Sequence, residues 1–472
     1  MIAPSKLFGS LSLADGMLLA VLVLSACAGL ALALNDPMSL ALVFGLPLLA
    51  VAAMVVWHAL AGDKFALLIV LAGAIFMLDA VVRVRAYDDK AIDFQIMLKA
   101  GSWALLALLA MNGLGAALRS MFSTERLLWT LLFGYLLLTS LYAPSPVYSV
   151  VAAFSIVSFY LFFAGTLHRL PVEHVMIAIL IGIAALAIGS LIVYFAVPSL
   201  GRMRIWSGNQ QILSMRLSGL AGHANSIGRL CCLGIILLAV HWKQLRAFWR
   251  PAPLLTLLLL ATTLLLSNSR TSIAITVIVL AVYWFGKLRV MPYLLLAAAF
   301  AAVILVAVTP YSEQIMAMLS RSGDADEIMT GTSRTHIWAV ANMLGSQRPW
   351  FGWGYGSSVF VMPAYQDLMG HAAPHAHNIF LQLWMTTGIV GVMLFVAALV
   401  SRFLLAVWRD ERLVIALLLF VFFNGLTESS AFGGVANITS VVLCLAAAMG
   451  PAGRIRERAV ARLGRLQPSA VG

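Results

Sequence analysis

The run His174–Val197, "HVMIAILIGIAALAIGSLIVYFAV", carries no aspartate, glutamate, lysine or arginine. Its length is that of an α-helix crossing the hydrocarbon core of a bilayer, about 20 residues or slightly more. Comparable apolar runs recur along the whole chain, beginning with Met17–Leu34, "MLLAVLVLSACAGLALAL". Of the 472 residues, 62% are hydrophobic and 10% charged, too little charge to cover a soluble domain of this size. The fold class that follows is an all-α polytopic membrane protein with about 12–14 transmembrane helices. Expected helices include 65–82, 95–117, 174–197, 253–267, 271–285, 291–309, 378–407 and 413–425. The first run ends in "NDPMS" without a small-x-small cleavage site, so it is expected to remain as an uncleaved helix. Cys27, Cys231, Cys232 and Cys444 sit in or beside apolar runs and read as packing residues.

The formal net charge is +12. Its basic residues concentrate in short connectors ("RSMFSTER", "LHRLPVEH", "WKQLRAFWRP", "GKLRV", "WRDER") and in the C-terminal "RIRERAVARLGRLQ". That distribution is the positive-inside signature and argues against a nucleic-acid partner. It assigns both termini to the cytoplasmic side. The loop 198–224, the turn "SNSRTS" and the segment 310–377 then lie on the other side. The expected organisation is N-terminal transmembrane helices over 1–197, helices with arginine-bearing loops over 198–309, and a large loop over 310–377. C-terminal transmembrane helices over 378–450 and a basic tail over 451–472 complete it. The large loop contains "TSRTHIWAVANMLGSQRPWFGWGYGSS" and is expected to form one or two short helices against the membrane surface.

Four polar stretches fall at helix ends on the non-cytoplasmic face. They are "MRLSGLAGHANSIGRL" with Arg216, His223 and Asn225, "LLLSNSRTSIAI" with Arg270, "AHNIFLQLWMTTGIVG" with His377 and Asn378, and "NGLTESSAF" with Glu428. Taken singly, each has an ordinary reading. Arg270 snorkels to headgroups, Asn225 and Asn378 cap the helices that follow them, and Trp338, Trp350 and Trp353 belong to an interfacial belt. Taken together they point to chemistry. Arginines on the face that the positive-inside rule leaves poor in cations match an anionic ligand, and the guanidinium fork suits phosphate oxygens. A histidine beside them is suited to take a proton near neutral pH. His371, His375 and His377 lack carboxylate or cysteine company, so neither a metal nor a cofactor is expected. Asp79 and Arg229, nearest to the interior of their helices, are the residues a transporter reading would invoke.

These motifs give the chain a resemblance to the superfamily of bacterial O-antigen ligases and Wzy-type polysaccharide polymerases. The shared fingerprint is His, then Asn, nine residues, then Gly-x-x-Gly. Here it is His377, Asn378, "IFLQLWMTT", Gly388 and Gly391. Arg216-x-x-Gly219, "SRT" at Ser269–Thr271, "TSRTHIW" ahead of a P-x-x-G-x-G turn, and "LTES" add to the likeness, which spans roughly Leu200 to Ser430.

The resemblance implies a GT-C-like fold and a metal-independent glycosyltransferase of the bacterial inner membrane, its active site facing the periplasm. Its donor would be a glycan on undecaprenyl pyrophosphate, and its acceptor another glycan or lipid A–core. His377 matches the catalytic base; Arg216 and Arg270 match the pyrophosphate-binding arginines. Arg334, Trp338, Trp353, Glu428 and Asn378 are candidate acceptor or glycan contacts. "LTES" and the His-Asn region favour a polysaccharide polymerase for exopolysaccharide or O-antigen; the alternative is an O-antigen ligase.

Overall fold

The computed structural model describes residues 51–81, 94–207, 210–285, 334–370, 373–429 and 431–450. The expected helices over Met17–Leu34 and 291–309, the first part of the large loop, His371 and the basic tail lie outside the described residues. The chain divides after Gly73 into two compact units. The described part of the first holds the apolar helix Val51–Leu60 and the leading residues of α1 (Lys64–Asp79). The remaining elements belong to the second.

Among the described residues, five helices are long and apolar enough to span a bilayer, as an all-α polytopic membrane protein requires. They are α2 (Phe94–Met111), α5 (Pro146–Thr166), α6 (Val172–Ala196), α7 (Ala224–Phe248) and α11 (Ile379–Trp408). Shorter apolar helices pack among them: α4 (Leu127–Leu138), α8 (Ala252–Ser267), α9 (Arg270–Phe285), α12 (Arg412–Thr427) and α13 (Ile438–Ala448). The amphipathic α3 (Leu114–Met121) precedes α4, so the expected span 95–117 is two helices that part at Asn112 and Gly113. Apolar side chains such as Ile181, Ile192, Phe195 and Leu265 remain exposed on helix surfaces, as lipid contact requires.

The expected loop 198–224 is more ordered than its composition announces. It contains an antiparallel hairpin of β1 (Arg202–Ser207) and β2 (Gln210–Leu217), registered Arg202 to Leu217 and Ser207 to Gln210. Tyr194 of α6 anchors it by donating its hydroxyl to the Met215 carbonyl at 2.9 Å. The large loop builds its own small core. Helix α10 (Arg334–Gln347) buries Ile337, Val340, Ala341 and Leu344 against Met362, Met369, Ala373, Ala376 and Met385.

One correction concerns the expected continuous helix 378–407. Helix α11 is broken at Gly388, whose φ of 65° and ψ of −168° are non-helical. The break frees backbone groups, and the turn Pro349–Gly354 takes them up. Ile389 N–H donates to Pro349 C=O at 2.8 Å, while Trp353 and Gly354 N–H donate to Met385 and Thr386 C=O at 3.0 and 2.7 Å. A Cβ at Gly388 would collide with the Trp350 carbonyl and the Phe351 nitrogen; one at Gly352 would meet Thr386 and Thr387. Both positions also need a positive φ, open to glycine at little cost. The fingerprint's first glycine and the loop's P-x-x-G-x-G turn are therefore two halves of one joint.

The opposite end of the α11–α12 hairpin carries the basic connectors. Arg402, 2% exposed, pairs with Glu411 at 2.7 Å and donates to the Ala446 and Met449 carbonyls at 3.1 Å. Arg409 pairs with Glu125 of the "RSMFSTER" connector, so two segments expected on one membrane face do meet.

The joint predicts an asymmetry between glycines. In detergent, Gly388→Ala lowers the thermal unfolding temperature, by strain and lost docking worth roughly 1–3 kcal/mol. Gly134→Ala, in a helix with nothing within 4 Å of the added carbon, leaves it unchanged or slightly raised.

Candidate active site

Asn424 accepts the Glu428 N–H at 2.8 Å as α12 ends, and Glu428 itself is extended, with φ −144° and ψ 141°. Its side chain is thereby directed inward and becomes a hub. Oε2 meets His377 Nδ1 at 2.8 Å, while Oε1 accepts from Arg334 Nη2 at 3.1 Å and from Asn225 Nδ2 at 3.2 Å. Asn225 in turn accepts from Arg216 Nη2 at 3.1 Å. Arg216 also donates to the carbonyls of Ser267 at 3.1 Å and Asn268 at 3.4 Å, in the turn that opens into Arg270. Residues from β2, α7, α10, α12 and the segment before α11 thus form one connected network.

Each member is placed by local structure. Asn268 adopts the left-handed conformation (φ 48°) that closes α8 and reverses the chain into α9. His223 caps α7, its Nδ1 accepting from Asn225 N–H at 3.1 Å, which turns the Asn225 side chain toward the hub. Asn378 caps α11 by accepting from Phe380 and Leu381 N–H at 2.9 and 3.2 Å, and donates to the Leu426 carbonyl. His377 precedes that cap in a left-handed conformation (φ 49°) that a histidine rarely adopts. Gln382, fully buried, holds it there. Gln382 Oε1 accepts the Ala376 N–H at 2.9 Å and Nε2 donates to Ser358 Oγ at 2.9 Å.

Burial alone would raise the Glu428 carboxyl. The His377 hydrogen bond and charge, with Arg334 and Arg229, outweigh it and hold the group far below the usual carboxylate range. An ionised Glu428 accepts from Nδ1–H, which leaves His377 Nε2 as the basic nitrogen, without a partner among the described residues. Burial pushes His223 down to about 4, with Glu428 opposing and Arg216, His377 and Arg229 adding to it. His375 is likewise pushed down to about 4, by burial first and then by His377. Two neutral imidazoles therefore flank the pair.

A cavity of about 410 Å³ adjoins His377 and Glu428. Asp79, Lys99, Tyr148, Arg229 and His375 also line it; Arg216, Arg270 and Arg334 do not. The structure thus gathers His377, Glu428, Arg334 and Arg216, and leaves Arg270 exposed at the first residue of α9, beside the turn that Arg216 grips. Asn378 has its side chain engaged in capping. Trp353 packs within the loop core, its Nε1 donating to Leu344 C=O at 2.9 Å and its ring covered by the Arg348 guanidinium at 4.0 Å. Trp338 is half-buried on α10, whereas Trp350 is 67% exposed. Arg229 and Asp79, set aside with transport, line the cavity instead. Lys99 and Gln382 were missed; a glutamine within the apolar run "IFLQLW" was the available signal for Gln382.

Residues 255–396 match the model of a family described as O-antigen ligase. The chain is also similar to an O-antigen ligase of Pseudomonas aeruginosa, at 30% identity over 198 residues, 41% of this chain. The O-antigen ligase resemblance holds. The match covers 45% of that relative's length, so the chain aligns with less than half of it. The family segment includes Arg270, Arg334 and His377 and ends before Glu428. Both similarities carry the ligase description, so the leaning toward a polymerase gives way to its alternative. "LTES" places its glutamate against His377, a contact that does not discriminate a polymerase from a ligase.

The histidine environment predicts a pH dependence of stability. An unfolded histidine titrates near 6.5, so between pH 6.5 and 4 the unfolded chain binds protons that native His223 and His375 refuse. Stability therefore falls as pH drops through that window. The contribution of Glu428 is retained there, being lost only as pH falls below the ordinary carboxylate range. Melting curves at pH 7 and pH 5 check this, with His375→Gln reducing the difference.

Proposed function

We propose that the protein is an O-antigen ligase of the bacterial inner membrane, transferring a glycan from undecaprenyl pyrophosphate to lipid A–core at the periplasmic face. The observation that carries the reading is the 2.8 Å contact between His377 Nδ1 and Glu428, beside a cavity that Arg229 and Lys99 also line. Glu428 orients the imidazole and favours the tautomer whose Nε2 is basic. Nε2 takes the proton of an acceptor hydroxyl, whose oxygen attacks the anomeric carbon of the donor sugar. The bond from that carbon to the phosphate oxygen breaks, and undecaprenyl pyrophosphate leaves with the bonding pair. Arg216 and Arg270 stabilise the growing negative charge, a contribution of about 3 kcal/mol per well-placed donor in a dry site. Arg334 connects the large loop to Glu428, so acceptor binding on that loop bears on the base directly. Trp350, exposed on the same loop, is a candidate glycan contact.

A ligase and a polymerase differ in what accumulates on deletion. Loss of a ligase leaves lipid-linked polymer and bare core; loss of a polymerase leaves single repeat units on core. Glycan analysis of a deletion strain is expected to give the first pattern. With purified protein and lipid-linked glycan, His377→Ala lowers turnover by roughly 10²- to 10⁴-fold. Glu428→Gln lowers kcat with little change in donor KM, and Arg270→Ala raises donor KM. Near-wild-type turnover in both His377→Ala and Arg270→Ala would remove the mechanism.

A further inference from the structure

The cavity beside His377 contains a guanidinium whose Nε has no hydrogen-bond partner among the described residues. Arg229 lies one turn along α7 from Asn225, is 7% exposed and lines the cavity. Its Nε is buried without a hydrogen-bond partner. Arg216 and Arg334 are different, each donating to carbonyl or side-chain oxygens. The two carboxylates of the cavity act on Arg229 by charge, but neither hydrogen-bonds its Nε. Glu428 already receives donors from Arg334, Asn225 and His377, and Asp79 accepts the Ile438 N–H at 3.1 Å. A guanidinium withdrawn from water without an acceptor is costly unless an anion completes it.

Two further features favour an anion. Lys99 stands in the same wall, and the N-terminal turns of α7 and α13 contribute Asn225, Ser226 and Asn437 to the lining. Helix N-termini carry the positive end of the peptide dipoles, a field that persists here although His223 caps α7 and Asn437 and Asp79 take up the first N–H groups of α13.

We propose that Arg229, with Lys99, forms an inner phosphate seat in this cavity, distinct from the outer arginines Arg216 and Arg270. The identity of the ligand as the donor's pyrophosphate rests on the glycan-transfer reading; the seat itself does not. One phosphate of a diphosphate occupies the Arg229 seat, and the outer arginines serve the rest of the head group.

The test is thermal stabilisation of the purified full chain by inorganic diphosphate and, separately, by undecaprenyl diphosphate. Wild type is expected to melt higher with one or both. A response to the lipid where inorganic diphosphate gives none assigns the seat to a lipid-linked head group; a response to the inorganic ion alone assigns it to free phosphate. Arg229→Gln is expected to weaken binding tenfold or more, with Arg229→Lys intermediate and His377→Ala close to wild type. Should Arg229→Gln fail to fold, Arg229→Lys and Lys99→Gln carry the comparison. Wild-type affinity in the folded variants, or equal stabilisation by sulfate, overturns the seat. Unchanged transfer by His377→Ala would sink the mechanism and leave the seat standing; lost transfer with normal diphosphate binding by Arg229→Gln would do the reverse.

Discussion

A carboxylate withdrawn from water among apolar helices is tolerated only when donors replace its hydration, and Glu428 sets that requirement for the whole site. The donors come from three elements: Arg334 from α10, Asn225 from α7 and His377 from the turn before α11. Meeting the requirement fastens the large loop to the helices and fixes the face of the imidazole. It also extends outward, because Asn225 can donate to Glu428 while accepting from Arg216. Stability and catalytic geometry therefore rest on the same hydrogen bonds. Desolvation holds the neighbouring His223 and His375 low, and the opposing charge of Glu428 does not outweigh it.

The spacing between His377 and Gly388 acquires a mechanical meaning from the broken helix. Residues 379–387 form a helix of about 14 Å at 1.5 Å per residue. Its N-terminus presents the histidine, and its C-terminus receives the turn Pro349–Gly354. Gln382, midway, ties the same short helix to the segment before His377 and to Ser358. A short helix thus links His377 to the loop, docked at both ends. Changing the number of residues between the two motifs would rotate His377 away from Glu428 by about 100° per residue.

Much of this was legible in the sequence for identifiable reasons. Apolar run length announces membrane helices, and Asn378 marks a helix start with a side chain that satisfies free backbone groups. Polar residues at helix ends pointed to the candidate site, where several of them meet around Glu428. What escaped notice involves groups whose meaning depends on a partner distant in sequence. Gly388 reads as an ordinary glycine of an apolar helix until Trp350 is seen against it. The hairpin was hidden because 198–224 lacks sustained alternation, although "SGNQ" is a short turn signal. Lys99 and Gln382 became meaningful only through the cavity they line and the backbone they hold.

Arg229 shows why a charge in a helix does not by itself signify passage across the membrane. A translocation route needs polar groups that continue toward the other face. Here Arg229 and Asp79 open into the same cavity as His377, near the ends of their helices. At the other end of the α11–α12 hairpin, Arg402 is locked to Glu411 and to two carbonyls of α13 and its cap. The polar groups of the two ends belong to separate networks. Such a division suits an enzyme that receives a lipid-linked substrate at one face and returns the lipid carrier to the same face. On the proposed reading, the lipid's anionic head meets cations recessed among helix ends, and Arg229 and Lys99 stand in the cavity wall for that role.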